Sequence, residues 1–428
     1  MKLPHLPLYM RVVIGVALGT LVGLALGTDE VELLGLITFT TEDLGRIGLL
    51  VVRVLKMLAV PLVLFAILDA IARTEVSGRM GLRLIVICLV NVTIAFVIGL
   101  TLMNLLEPGH AWHDHLDDLG GPELAAPKHA PPGTTLSPLE NLEKWIPESI
   151  VQPFSDNNVI SVVLLAVLAG AAVRRARKSA EQPDSVETVV RFIEGTYSVL
   201  IQMLSWVIEI VPFAVFGVLA HVVGKAGLGM FVALSGFLGV ILLGFVIHAL
   251  VYYPLMAWFV GRISPRVYLG RGANAIVTGL STNSSLATVP ITLNSLDQMG
   301  VSPESARLAA CIGTNLNNDG ITLYEAMAAL FIAQALGYDL SMGAQITIVL
   351  ASLMAGIGVA GVPEAGLVVL PLVLAAAGLP EPVVAAVLPI VFSVDWILAR
   401  CRSAVNVMSD MLVAILLDRF RVTPLRES

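Results

Sequence analysis

Apolar runs long enough to cross a lipid bilayer recur along this chain with few charges inside them. A helix needs about 20 mostly apolar residues to span the hydrocarbon layer. Residues 12–27, 49–71, 84–106, a run ending near 173, 189–223 and 230–260 supply them. Of the 428 residues, 57% are hydrophobic and 13% charged. A soluble domain carries about 25% charged residues. A larger core does not remove that deficit, because a soluble surface still needs polar groups. The class is therefore an all-α polytopic membrane protein. The first apolar run looks like a signal peptide, but no clear cleavage site follows and more spans come after it, so it reads as a retained helix. Cys88, Cys311 and Cys401 are odd in number and lack paired spacing, which argues against a disulfide framework or a zinc site. The formal net charge of −7 says little about partners, since in a membrane protein the placement of Lys and Arg matters more, and no nucleic-acid partner is expected.

Basic residues set the orientation. Lys2 and Arg11 precede the first run, and Arg73, Arg79 and Arg83 follow the second. Arg174, Arg175, Arg177 and Lys178 follow the fourth, Arg262, Arg266 and Arg271 the sixth, and Arg419 and Arg421 the last. With six simple spans before Arg262, all these clusters share one side, which the positive-inside rule makes cytoplasmic. Both termini are then cytoplasmic, in an inner or plasma membrane. A polar insert at 107–145 lies outside. It holds His110, His113, His115, Asp114, Asp117 and Asp118, but its glycines and prolines read as an exposed loop rather than a metal site.

After Arg271 the apolar segments are interrupted by Ser, Thr, Asn, Gly and Pro. Backbone leaving a helix inside lipid needs partners, at several kcal/mol per unsatisfied group. Irregular backbone at that depth survives where it is buried in protein or lines a cavity. Two interrupted segments in one half of a membrane protein therefore point to a binding site. Ser284, Ser285 and Pro290 are expected at the tip of one re-entrant hairpin; Gly356, Gly358, Gly361, Pro363 and Gly366 are expected at the tip of a second.

The last helix carries intramembrane charges. Asp395, Arg402, Asn406 and Asp410 follow one another at 7, 4 and 4 residues. At about 100° per residue they share one stripe, and Arg400 points away from it. Asp319 adds a further carboxylate beside Asn315, Asn317 and Asn318. Charges in a span cost a few kcal/mol and face the bundle interior or a cavity. Carboxylates, carboxamides and carbonyls suit a hard monovalent cation, and Arg402 suits a carboxylate gripped by two parallel hydrogen bonds. The site reads as one for an anion moved together with a cation. A membrane-embedded enzyme is the rival class. An aspartyl pair of Asp319 and Asp410 is disfavoured by Arg402 and the asparagines. His221 and His248 read as interfacial or packed residues, so no enzyme is expected.

These segments resemble the glutamate-transporter family of dicarboxylate and amino-acid:cation symporters. The resemblance begins at RVLKMLAVPLV (53–63). It is densest in NSSLATVP (283–290), NLNNDGITLYEA (315–326), AGVPEAG (360–366) and VDWILARCRSAVNVMSD (394–410). It implies eight transmembrane helices, two opposed re-entrant hairpins and a homotrimer. It also implies an elevator, in which a transport domain (74–106 and 224–428) slides against a scaffold (1–73 and 107–223). By matching positions it implies one sodium site from Gly313, Asn317, Asn406 and Asp410. Asp319 with Asn317 forms part of another, beside Asn315. Substrate contacts fall on Ser284, Ser285, Ile321, Val362, Gly366, Ala399, Arg400, Arg402, Ser403 and Asn406.

The departures from the family pattern are specific. Ala399 stands where amino-acid carriers have an aspartate for the substrate ammonium. Ile321, Leu286 and Asn318 replace a threonine, a serine and a methionine. Cys88, Asn91 and Val92 replace a tyrosine and two hydroxyl residues that complete a sodium site. The expected substrate is a small carboxylate without an α-ammonium, such as a C4-dicarboxylate, with an amino acid as the alternative. Coupling to sodium, to protons or to both is expected, with the sodium sites partly lost. No cofactor beyond these ions is expected.

Overall fold

The computed structural model describes residues 8–29, 31–33, 37–73, 78–112, 146–156, 158–179, 183–358, 366–379 and 381–420. These residues are almost wholly helical. The exception is an antiparallel ribbon of Val31–Leu33 and Ile37–Phe39, which the sequence reading did not expect. Among the described residues, four helices are long and apolar enough to cross a membrane: Thr41–Asp69, Arg79–Leu106, Ser185–Lys225 and Leu234–Phe259. Shorter apolar helices cover Met10–Leu26, Met342–Gly356 and Gly366–Ala376.

In chain order, α1 is Leu8–Leu26, α2 Thr41–Arg73 and α3 Gly78–Leu106. The short α4, Gln152–Ser155, precedes α5 at Val159–Ser179 and α6 at Pro183–Ala226. α7, Gly229–Val246, runs through a π-helix at Ile247–Tyr252 into α8, Tyr253–Phe259. α1, α2, α5 and α6 pack on one another, and Arg11 of α1 pairs with Glu209 of α6 at 2.7 Å. Their outer faces expose Leu21, Met57, Leu168, Phe192, Trp206 and Phe213, a hydrophobic surface that water would penalise and lipid would not.

The remaining helices form the part that carries the polar residues. α9 (Pro265–Thr282) and α10 (Ser285–Met299) make a tight helical hairpin. Ser264 caps α9 by accepting from the Val267 N–H, with Pro265 in the first turn, where its missing donor costs nothing. Asn283 ends α9 in the left-handed region at φ 54°, and Ser284 immediately caps α10 by accepting from the Ala287 N–H. The reversal is therefore made by Asn283 and Ser284. Pro290, expected at the tip, lies inside α10 instead.

After α11 (Pro303–Arg307) the chain passes through π and 3-10 turns to Asn315, then enters α12 (Asp319–Ala335). Every residue of α12 is buried, including Asp319, Glu325 and Gln334. α3 is fixed to this part by polar contacts. Gln334 Nε2 donates to the Met103 carbonyl at 2.8 Å, and the Asn104 and Gln345 carboxamides exchange bonds of 2.8 and 3.0 Å. α13 (Met342–Gly358) and α14 (Gly366–Ala376) pack together. Residues 359–365, expected to include the second tip, lie outside the described residues. α15 (Glu381–Arg419) crosses the assembly and packs on α9, α10 and α12.

Candidate substrate and ion site

The expected polar stripe of α15 faces the interior: Asp395, Arg402, Asn406 and Asp410 are all buried. Arg402 makes a bidentate pair with Asp395, at 2.7 and 3.0 Å. Seven residues are two helical turns, so both side chains leave the same face. The guanidinium carbon also lies 4.1 Å from the centre of the Tyr324 ring, a cation–π contact supplied by α12. On another side α14 begins at Gly366, where a methyl group would come within 2.6 Å of Arg402 Nη2. Only glycine lets the backbone approach so closely. Arg402 is thus held by a carboxylate, a ring and a glycine from three helices. Two of its five N–H donors serve Asp395.

Asn406 joins α15 to the start of α12. Its Oδ1 accepts from the Gly320 N–H at 2.8 Å, and its Nδ2 donates to Asn318 Oδ1 at 3.4 Å. Gly320 permits this crossing, because a methyl there would meet the Arg402 carbonyl oxygen at 2.5 Å. Asn318 Nδ2 reaches on to the Gly356 carbonyl at the end of α13, 3.1 Å away. Asn317 Nδ2 donates to Asp410 Oδ1 at 3.1 Å. Carboxamides here satisfy carboxylates and backbone groups that would each cost about 1–3 kcal/mol if left alone.

The hairpin α9–α10 meets the same stretch of α15. Ser403 Oγ donates to Asn283 Oδ1 at 3.2 Å. Arg400, well off the buried stripe as its spacing requires, donates to the carbonyls of Leu280 (3.4 Å) and Ser281 (2.9 Å). A cation at those terminal carbonyls also meets the negative end of the helix dipole. Ser284 and Ser285 are both buried at the reversal. Ala399 and Ile321 are buried apolar side chains and add no donor or acceptor.

Other expected site residues fit less well. The Gly313 carbonyl already accepts from the N–H groups of Leu316 (2.7 Å) and Asn317 (2.8 Å). The Asn315 side chain and Val362 lie outside the described residues. Cys88, Asn91 and Val92 are buried on α3, but Val92 has no ligating atom and Asn91 Oδ1 already accepts from Tyr252 Oη at 2.8 Å.

Several residues at the site escaped the sequence reading. His248 is fully buried beside Asp319, at 3.4 Å, rather than at an interface. Tyr253 and Ser409 donate to Asp319 Oδ2 at 2.8 and 2.7 Å. Glu325 is fully buried on α12, two turns from Asp319, with neither carboxylate oxygen hydrogen-bonded. The signal for Glu325 was present, since a carboxylate inside an apolar helix is costly. The tyrosines gave none, because Tyr in an apolar run usually packs.

The family model described as the sodium:dicarboxylate symporter family matches residues 8–420. The chain is 28% identical to excitatory amino acid transporter 1 of Ambystoma tigrinum, over 94% of this chain and 81% of that protein. It is 26% identical to C4-dicarboxylate transport protein 3 of Bradyrhizobium diazoefficiens, over 96% and 88%. It is 28% identical to excitatory amino acid transporter 3 of Mus musculus, over 93% and 82%. These relatives are named as transporters and none as an enzyme, which agrees with a buried Arg–carboxylate site inside apolar helices. The chain belongs to the sodium:dicarboxylate symporter family.

Proposed function

We propose that this protein carries a C4-dicarboxylate across the membrane together with sodium, with Arg402 receiving one substrate carboxylate. The observation that carries the reading is the charge pattern around Arg402. Its own carboxylate partner, Asp395, is committed to it by two hydrogen bonds. One turn before Arg402, Ala399 presents a buried methyl group. An ammonium placed there would lose water and gain no counter-charge, at a cost of several kcal/mol. A dicarboxylate pays no such penalty, and Arg402 keeps N–H donors beyond the two that Asp395 uses. Ser284, Ser285, Ser403 and the Asn283 reversal supply neutral polar groups for a second carboxylate, with Gly366 beside Arg402.

Sodium is assigned to Asp410, with the carboxamide oxygens of Asn317 and Asn406, which accept from Ser409 and the Gly320 N–H here, as the ligands that would have to turn to it. Neutralising Asp410 by an ion makes a dianion easier to hold nearby, which couples the two solutes. α1, α2, α5 and α6 are assigned as scaffold, and α3 with α7 to α15 as the moving part. The bonds from α3 to Gln334 and Gln345 support counting α3 with the latter. Two opposed re-entrant hairpins, eight spans, a homotrimer and cytoplasmic termini complete the proposed arrangement.

Calorimetric titration of purified protein tests the substrate. Succinate or malate is expected to bind in sodium at least about tenfold tighter than aspartate, a difference of about 1.4 kcal/mol. Aspartate binding more tightly than either would reject the dicarboxylate reading and favour the amino-acid carriers among the relatives.

A further inference from the structure

The sodium reading leaves Asp319 to be explained. It is fully buried at the first turn of α12, so its charge needs a partner. The sequence around it offers two kinds: an ion, or hydrogen-bond donors from neighbouring helices. Geometry separates them.

The donors come from an irregular stretch of helix. Between α7 and α8 the Ile247–Tyr252 segment is a π-helix, in which the Tyr253 N–H bonds back to the His248 carbonyl. Such single-turn bulges shift the register of everything after them, and they are frequent at functional sites. Here the shift brings His248 and Tyr253 together, with ring centres 4.5 Å apart. Both then face Asp319. Tyr253 Oη donates to Asp319 Oδ2 at 2.8 Å, and His248 Nε2 stands 3.4 Å from the same atom. From α15, Ser409 Oγ reaches that oxygen at 2.7 Å. Three polar atoms therefore crowd one carboxylate oxygen.

An ion on Asp319 would have to use what is left. Ser409 Oγ also lies 2.9 Å from Asn317 Oδ1. It fills the gap between the two oxygens that an ion shared by Asn317 and Asp319 would have to join. On α3, Cys88 carries sulfur and Val92 carbon, and Asn91 Oδ1 is taken by Tyr252. Asp319 Oδ1 is buried without a hydrogen bond. A single oxygen is not a coordination shell for a hard cation, which prefers several oxygen ligands. The residues present do not fit a sodium ion at this carboxylate.

We infer that Asp319 binds no cation in this chain, and that the hydroxyls of Tyr253 and Ser409, with His248 behind them, balance its charge instead. Tyr253 and Ser409 are then positioning residues: they settle how many ions travel with the substrate. The inference rests on the reading of Asp410 as a sodium ligand, since it removes one of two carboxylates from ion duty. It also explains why Cys88 and Val92 on α3 carry no oxygen: no ion has to be completed there.

Thallium(I), which scatters anomalously and replaces sodium at oxygen sites, tests this on crystals of the full chain. The expected map has a peak in contact with Asp410 and Asn317 and none in contact with Asp319. A peak on Asp319 would overturn the inference. A map without a peak at either carboxylate would overturn the sodium assignment to Asp410, and with it the ion count that this inference settles. A Tyr253→Phe/Ser409→Gly double variant tests the two hydroxyls separately. With both gone, Asp319 keeps only His248 and the gap to Asn317 is open, so a new thallium peak is expected on Asp319. The same ion-free Asp319 in that variant would overturn the role given to the two residues.

Discussion

Arg402 shows how much a single buried cation constrains its surroundings. Its charge is met by Asp395, its flat face by Tyr324 and its edge by the backbone at Gly366. Lysine keeps the charge but not the planar fork, so it cannot hold Asp395 and a substrate carboxylate in parallel pairs. Arg402→Lys is expected to weaken succinate binding by about 100-fold, or about 2.7 kcal/mol, in a calorimetric titration. A loss below about threefold would mean that the guanidinium does not face the substrate. Ala399 makes the converse case. Ala399→Asp supplies the missing counter-charge one turn from Arg402, and aspartate is expected to gain at least tenfold over succinate in the same assay. No change in that ratio would remove Ala399 as the selectivity position.

At the scale of elements, the site depends on breaks in regular helix. The α9–α10 reversal, the π-helix before α8 and the irregular stretch before α12 each place polar groups that an unbroken helix would turn away. The start of α14 is a further close junction. Gly366→Ala would force the Arg402 guanidinium away from Asp395, since the added methyl would overlap Nη2. Overpacking of this kind costs about 1–3 kcal/mol. Succinate affinity is expected to fall at least tenfold in Gly366→Ala, while a thermal melt shows the protein still folded. Unaltered affinity would show that α14 moves away from Arg402 when substrate binds.

Which breaks were legible in the sequence follows from their chemistry. Ser264 and Ser302, each followed by a proline, cap helices in the structure, a signal the sequence reading did not use. The stripe of Asp395, Arg402, Asn406 and Asp410 was readable because burying charge is expensive and α15 is long and regular. A helical hairpin was readable too, with Ser284 and Ser285 at its reversal, and only Pro290 was misplaced. Pro290 looked like a breaker, yet it sits in the second turn of α10, which continues to Met299 despite the N–H the proline lacks. The His248–Tyr253–Asp319 cluster was illegible for a different reason. A π-bulge leaves no periodic trace in an apolar run, and the register it sets decides which tyrosine faces inward.

For the whole molecule, an apolar outer surface encloses an interior that is itself mostly apolar, with the buried polar site set inside it. Exposed side chains such as Leu21, Phe192 and Phe213 need lipid or another copy of the chain. Ion pairs contribute little at that surface. Arg11–Glu209 is partly exposed, and such pairs are worth about 0–1 kcal/mol. Glu209→Gln is therefore expected to leave the melting temperature of the detergent-purified protein almost unchanged. A large drop would show that the pair fixes α1 to α6. Stability should come instead from apolar packing among α1, α2 and α6.

Uptake into sealed proteoliposomes tests the central claim most directly. With sodium outside and none inside, labelled succinate is expected to accumulate, unlabelled malate to abolish the uptake, and aspartate in about tenfold excess over succinate to leave at least about half of it. Accumulation of aspartate under the same gradient, with succinate neither carried nor competing, would contradict the account.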